Sequence, residues 1–325
     1  MTATHELLAP FAAERVVIDA DLQPLIGSTI QPTGFANLGA ATFERPGNPP
    51  SLLVESVQSL ANHLEALGWD ATAHAPIALL AELPYLEVRA EDGAFLTSSR
   101  LEPHRLAAAY VRDASIESQK GIDWVASKLG LVAGRPLDWP AIYQAVFQLD
   151  PLCLLHGVFF SDKGFHGNPK VRRAITLVIE GHDVREAVSG GVKRDDVAFN
   201  VEKGAGQGAE EGYGFVPFGR TEFTAARILL SAAIDLQQIR GYGLPADATQ
   251  LLELLALWEV RTLLDRPLRL RTRCDLELTR LAVRRPAGIE LPDREALETA
   301  IASNSKEFEH PGARVLTWSP KGKKA

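Results

Sequence analysis

"TEFTAARILLSAAIDLQQI" (221–239) decides the fold. Its composition allows a helix, its apolar run allows a long strand, and periodicity does not arbitrate. The neighbours give the choice its weight. "DATQLLELLALWEVRTLLDR" (247–266) carries the apolar repeat of a helix, with Asp247 and Gln250 spaced as a capping box. "RCDLELTRLAV" (273–283) alternates as a strand does. With 223–236 as a strand, this half of the chain becomes β-α-β.

The first half offers a matching unit. "RVVIDADL" (15–22) is a short β-branched strand, and "LPYLEVRA" (83–90) a second. Between them "SLLVESVQSLANHLEALGW" (51–69) predicts an amphipathic helix. Leu53, Val57, Leu60, Leu64 and Leu67 form its apolar stripe, and Glu55, Gln58, Asn62 and Glu65 the polar one. Pro49, Pro50 and Ser51 mark its start and Gly68 its end. The expected order is β-α-β, a large insertion, then β-α-β, the split pattern of ferredoxin-like or RNA-recognition folds and an α+β class. A helix at 293–302 and a strand "ARVLTWS" close the chain.

The insertion is irregular. Short helical patterns at 115–129 and 139–148 precede an apolar run "CLLHGVFF" (153–160) and a strand-like "AITLVIEGHDVREAVSG" (174–190). "EKGAGQGAEEGYGFVPFGR" (202–220) is glycine-rich and predicts a mobile loop. The stretch at 23–50, rich in Gly, Pro, Thr and Asn, is too broken for regular structure and too long for a simple connector, which favours a functional loop.

Bulk properties exclude several classes. The chain has 325 residues, 46% hydrophobic and 23% charged, with no run near the roughly 20 apolar residues of a membrane helix. The first fifteen residues lack a basic region followed by an apolar run, so no secretory signal is expected. Cys153 and Cys274 have no metal-ligand spacing, and so few thiols suit a cytoplasmic protein with two small core cysteines. The net charge of −7 argues against nucleic acid, but it is uneven: residues 1–120 hold 7 Lys/Arg against 15 Asp/Glu, and the remainder is near balance.

Catalytic motifs are absent from the sequence. The eight histidines show no HxxxH spacing, so no metal site is expected, and neither GxSxG nor GxxxxGK[ST] occurs. "GAGQG" and "GYG" lack a flanking strand and helix, so no cofactor is called for. His104 and His156 have the chemistry of general bases, although core or surface histidines are the commoner case. What remains is a set of polar, glycine-bounded loops. "GSTIQPTGFANLG" (27–39) supplies hydroxyls and amides. "SGGVKR" (189–194) offers a backbone nest plus two cations, or a plain turn. "FGRTEFTAAR" (218–227) mixes arginines with aromatics. Phosphodiester backbones are held by such groups. The aromatic signature of an ordinary RNA-recognition motif is missing.

Taken in order, "GSTIQPTGFANLGAATFERP", "LLVESVQSLANHLE", "LPYLEVRA", "FLTSSRLEPHRL", "LLHGVFF", "EAVSGGVKRDDV", "VPFGRTEFTAARI", "IRGYGL" and "LRLRTRCDLE" resemble the Csb-one family. These are CRISPR-associated RAMP-superfamily proteins, the Cas-seven-type backbone subunits of type I-G (formerly I-U) interference complexes. The likeness runs from about residue 15 to about 285. It implies one RAMP-type domain over 1–325, a modified RNA-recognition palm at about 15–99 and 221–285, thumb and finger elements inserted at 100–220, and a C-terminal helix and strand at 286–325. It makes 223–236 a strand.

The function implied is non-catalytic. Copies polymerise head-to-tail along a guide RNA (crRNA), grip its backbone, and present it to complementary target DNA beside other subunits of the complex. Candidate RNA contacts are Ser28, Thr29, Gln31 and Arg45 of the first loop, Gln58 and Asn62 of the helix, and Lys193, Arg194 and Arg220 of the later loops. Phe159 and Phe160 are candidates for a wedge between bases, with core packing as the alternative. The rival within the superfamily is an RNA endonuclease using a thumb-loop Asp, here Asp195 or Asp196, or a His.

Overall fold

The computed structural model describes residues 2–35, 39–193, 216–306 and 312–320. The undecided segment is a strand. Ile228, Leu230, Ala232 and Ile234 are buried and the residues between them face outward, a period of two. The outward residues include Leu229 and Ala233, which hide that alternation in the sequence. Asp235 ends the strand by accepting a hydrogen bond from the Gln238 N–H at 3.0 Å, which starts a short helix.

Ten strands carry the architecture: β1 (Arg15–Pro24), β2 (Thr42–Phe43), β3 (Ser51–Glu55), β4 (Tyr85–Ala90), β5 (Phe95–Ser98), β6 (Ile175–Lys193), β7 (Val216–Asp235), β8 (Leu268–Arg271), β9 (Cys274–Arg285) and β10 (Ala313–Trp318). The main sheet has seven strands in the order β8-β9-β1-β7-β6-β3-β2, antiparallel throughout. A second sheet contains β10, β4 and β5, with β10 parallel to β4. The class is α+β, as expected. One face of the main sheet lies on α1 (Val57–Leu67) and α2 (Ala246–Leu264). α2 is buried nearly all round and packs on α1 and on α3 (Arg294–Ser305), so it forms the centre of the core.

The other sheet face is latticed by charge. Arg227 and Arg280 both reach Asp21, Arg284 reaches Asp19 at 3.1 Å, and Arg15 pairs with Asp235 at 2.9 Å. The arginine bonds hold the Asp21 carboxyl below the usual range.

Three expectations change. Residues 51–55 are strand rather than the first turns of the helix, because Leu52 and Val54 are buried and the segment pairs with 179–182. The helix starts where the Ser56 hydroxyl accepts from the Ser59 N–H, and it ends at Gly68 as expected. Strand 85–90 forms but lies in the second sheet. Its expected place in the main sheet is taken by β6, from the segment assigned to the insertion. No capping box forms at Asp247: Pro245 occupies the cap position and no side chain bonds there.

β6 and β7 form one long hairpin, in register from Ile175↔Ile234 to Lys193↔Val216. β7 pairs with β1 only from Ile228, and β6 with β3 only to His182. The outer part, 184–193 with 216–225, therefore leaves the sheet as a two-stranded ribbon, touched by one bridge from Ile30 to Phe223. Asp183, with φ of +53°, stands where it departs. Val188 on the ribbon is 95% exposed, and Val192 and Phe218 are exposed too.

The diglycine serves this ribbon. A Cβ on Gly190 would lie 2.6 Å from the Phe218 carbonyl, and one on Gly191 3.1 Å from the Phe218 ring. Neither glycine has a positive φ and both sit in the ladder, so no anion-binding nest exists there. The glycines make room for Phe218.

Candidate nucleic-acid interface

A cleft of about 440 Å³ opens beside α1. A short strand pair, Phe159 opposite Lys170 and Val158 opposite Val171, forms one wall, and the first residues of β6 continue it. Pro103, His104 and Arg105 form the other. Gly157 makes the corner possible. Its φ is +79°, and a Cβ there would meet the Val171 carbonyl at 2.9 Å. The Arg105 guanidinium grips Glu65 in a two-bond fork of 2.6 and 2.8 Å and donates to the Gly157 carbonyl at 3.0 Å, fixing one wall to the other.

The cleft is positive. Arg173 donates to the His156 carbonyl at 3.2 Å and to the Gln58 amide oxygen at 2.6 Å, and Gln58 donates to Asn62. Burial above all, with the nearby Arg105 charge, depresses the Arg173 pKa, and the Glu65 carboxylate opposes the shift. Lys170 and Arg172 are exposed at the rim. Among the described residues, no carboxylate pairs with Lys170, Arg172 or Arg173, whereas Arg227, Arg280 and Arg284 on the open sheet face all do. Phe159 lies among them, 47% exposed, with the Lys170 ammonium 5.4 Å from its ring centre.

A second polar group sits at the root of the ribbon. Arg273 donates to Thr29 at 2.6 Å and to Glu222 at 3.2 Å, and Thr29 donates to Glu222 at 2.6 Å. These bonds hold the Glu222 carboxyl below its ordinary range. Arg271 pairs with buried Glu55 and donates to the Gln31 and Val54 carbonyls at 3.1 Å. The group fastens loop, ribbon and the β8–β9 turn together.

The family described as CRISPR-associated protein GSU0053 matches residues 16–186, more than half of the chain. The chain belongs to that family. The GSU0053 match spans α1, both walls of the cleft and β6 as far as Glu186, where the ribbon has only begun. Among solved structures, a chain of a CRISPR RNA-guided surveillance complex, pre-nicking, is 17% identical with a TM-score of 0.37, over 76% of this chain and 69% of that one. Csc2 of Thermofilum pendens is 11% identical with a TM-score of 0.31, over 92% and 76%. Likeness at these scores carries no argument about the site. No curated protein matches.

In this GSU0053-family chain the expected contacts separate into groups. Gln58 and Asn62 are exposed on α1, and Gln58 reaches the cleft through Arg173. Thr29 and Gln31 belong to the ribbon root, where Thr29 is committed to Glu222 and Arg273, and a side-chain oxygen of Gln31 is buried without a partner. Ser28 is exposed beside them. Arg45 donates to the Ser51 hydroxyl at 2.8 Å. Arg220 lies on the ribbon, 5.3 Å from the Phe218 ring centre.

Lys193 ends β6 at the backbone level, and its side chain, Arg194, Asp195 and Asp196 lie outside the described residues, as does 202–215 of the expected loop. The two wedge candidates divide: Phe160 is core, packed on Phe165, and Phe159 is at the cleft. Lys170, Arg172 and Arg173 were missed by sequence reasoning. Their signal was the uncompensated "KVRR" (170–173), placed between two apolar strands.

Behind the cleft, His156 and Glu259 form a fully buried pair at 2.9 Å. Burial disfavours the imidazolium, but the Glu259 carboxylate outweighs it and holds the His156 pKa above the ordinary value. With a raised folded-state pKa, the pair's contribution is complete below about pH 6.5 and is lost as pH rises through the folded value. Melting curves from about pH 5.5 to 9 should show stability falling on the alkaline side. Glu259→Gln, which keeps a hydrogen bond without the charge, should cost about 1 kcal/mol at low pH and flatten that slope. An unchanged slope would assign the dependence to another group.

Proposed function

We propose that this chain is a guide-RNA-binding backbone subunit of a CRISPR interference complex of type I-G. Membership of the GSU0053 family supports the CRISPR setting. The observation that carries RNA binding is the cleft: an acidic protein that pairs most of its arginines with carboxylates leaves Lys170, Arg172 and Arg173 unpaired around one opening. Cations held apart from counter-charge favour a polyanion, and contacts to phosphate rather than to base edges suit guides of any sequence.

The strand order supports the palm. β9, β1, β7 and β6 follow one another as the last, first, third and second strands of a split β-α-β pair, with α1 and α2 on one face. The ribbon that leaves this sheet is the thumb in this reading, and its direction is set by the Thr29, Glu222 and Arg273 group. Copies stack head-to-tail in the cytoplasm along the guide, with the other subunits at the ends, and complementary target DNA pairs with the exposed bases. The subunit does no chemistry of its own.

Expressed with its array and partner genes, the protein should carry RNA of defined length. Binding of single-stranded RNA by the purified protein should weaken about 20-fold between roughly 50 and 200 mM salt if the three cleft cations meet phosphates. A flat salt response would sink the model. Cleavage of a matched RNA in the presence of magnesium would replace the non-catalytic reading with the endonuclease one.

A further inference from the structure

The cleft has a feature that phosphate binding alone does not use. Phe159 is 47% exposed, while the adjacent Phe160 is fully buried. Burying a phenylalanine is favourable by about 1.5–3 kcal/mol, so an exposed ring on a rigid strand lacks that return in the isolated chain. The ring does not dangle. Phe159 is in register with Lys170, whose ammonium sits beside it. The Phe160 N–H donates to the Pro169 carbonyl at 3.0 Å and Asn168 donates to the Phe160 carbonyl at 3.1 Å, which clamps the turn that carries it. His104 stands on the facing wall and Thr176 continues the ring's own wall, both exposed, and Arg172 and Arg173 line the opening with them.

We infer that this cleft seats a single unstacked nucleotide of the bound RNA, its base on the Phe159 ring and its phosphate against Arg172 and Arg173. The inference rests on the RNA-binding reading above and names what the cleft takes. Two observations and one general property of stacking point the same way. The volume of about 440 Å³ falls within the range of small-ligand sites and is far too small for a duplex. One phenyl face is presented, which suits one base. Stacking accepts any base, since every base has a π-face, so the seat is indifferent to guide sequence.

The test is a cycle between protein and ligand. Binding of a single-stranded RNA of about ten nucleotides, the length spanned by one ssRNA-binding module, is compared with that of an abasic ribose-phosphate strand of equal length. Phe159→Ala should weaken binding of the natural strand roughly tenfold, the effect of one lost stack, and leave the abasic strand unchanged. Arg172→Glu should weaken both alike. Phe159→Trp should restore the natural strand, which a merely structural role for the ring would not predict. Equal loss for both strands in Phe159→Ala, or no loss for either, overturns the seat while RNA binding stands. Failure of the unaltered protein to bind either strand overturns the RNA-binding reading and the seat with it. Adenosine monophosphate binding more tightly than the RNA, with the same dependence on Phe159, would replace the RNA nucleotide by a free one.

Discussion

Lys170→Glu combined with Arg172→Glu is expected to lower RNA affinity about 100-fold without changing the melting temperature. Both side chains are exposed at the cleft rim and neither is paired with a described carboxylate, so the folded state loses little when they change. Each reversal removes one attraction to phosphate and adds one repulsion. At about 4 Å in water-like dielectric each of these is worth about 1 kcal/mol, and the total is larger where the cleft excludes water. Discounted for screening, the double change amounts to about 3 kcal/mol, or two decades in affinity.

Arg280→Ala provides the contrast. Its guanidinium is bonded to Asp21 at 3.0 Å, and Arg227 reaches the same carboxylate. Removing a cation already committed to an anion should change RNA affinity less than about threefold. Titration of labelled RNA against the two variants at one salt concentration decides between the faces. If Arg280→Ala is the more damaging, the RNA runs across the open sheet and the cleft is secondary.

Asp150→Ala is expected to destabilise the protein by about 3–5 kcal/mol, since breaking a buried pair strands its partner. Asp150 and Arg100 are 1% and 2% exposed. Arg100 donates to the carbonyls of Leu80, Leu83 and Pro84, and Asp150 accepts from the Ser99 hydroxyl at 2.6 Å and the Leu152 N–H at 3.2 Å. The pair therefore ties the segment before β4, the end of β5 and the helix that precedes Gly157 into one unit. Burial pushes the Asp150 carboxyl up, and Arg100 only partly offsets it.

Removing the carboxylate leaves a buried guanidinium without counter-charge. The loss is a large part of the roughly 5–15 kcal/mol that holds a typical domain together. A fall in melting temperature of roughly 5–10 °C should accompany it. Asp150→Asn, which keeps an acceptor for Ser99, should lose less. A melting temperature unchanged by Asp150→Ala would mean that water or rearrangement satisfies Arg100.

How much of this was legible in the sequence depended on the distance between partners. α2 and the strand at 274–285 are periodic by themselves, and both form as expected. Residues 51–55 satisfy helix and strand patterns equally well. Their partner at 179–182 lies far along the chain, so nothing local could choose. The same holds for 85–90, whose neighbour is the last strand at 313–318.

The site was half visible. The polar stripe of α1 pointed to Gln58 and Asn62, and Gln58 does reach the cleft. Thr29 looked like a phosphate ligand from its hydroxyl and its glycine neighbours. Its commitment to Glu222, about two hundred residues away, is a fact of the fold alone. The diglycine signalled a special backbone, but what it accommodates is an aromatic ring on the opposing strand.

The place of β1 has a consequence for synthesis. It lies between β7 and β9, and its Arg15 meets Asp235 across 220 residues of sequence. The hairpin of β6 and β7, by contrast, joins segments close in the chain. At roughly 5–20 residues per second, a strand leaving the ribosome first waits on the order of 10–40 s before its first partner emerges. During that interval Val16, Ile18 and Ala20, buried in the finished sheet, are wet and unpaired. β1, an interior strand of the sheet, thus waits on partners made about two hundred residues after it. Withholding chaperones during synthesis should therefore lower the yield of folded protein.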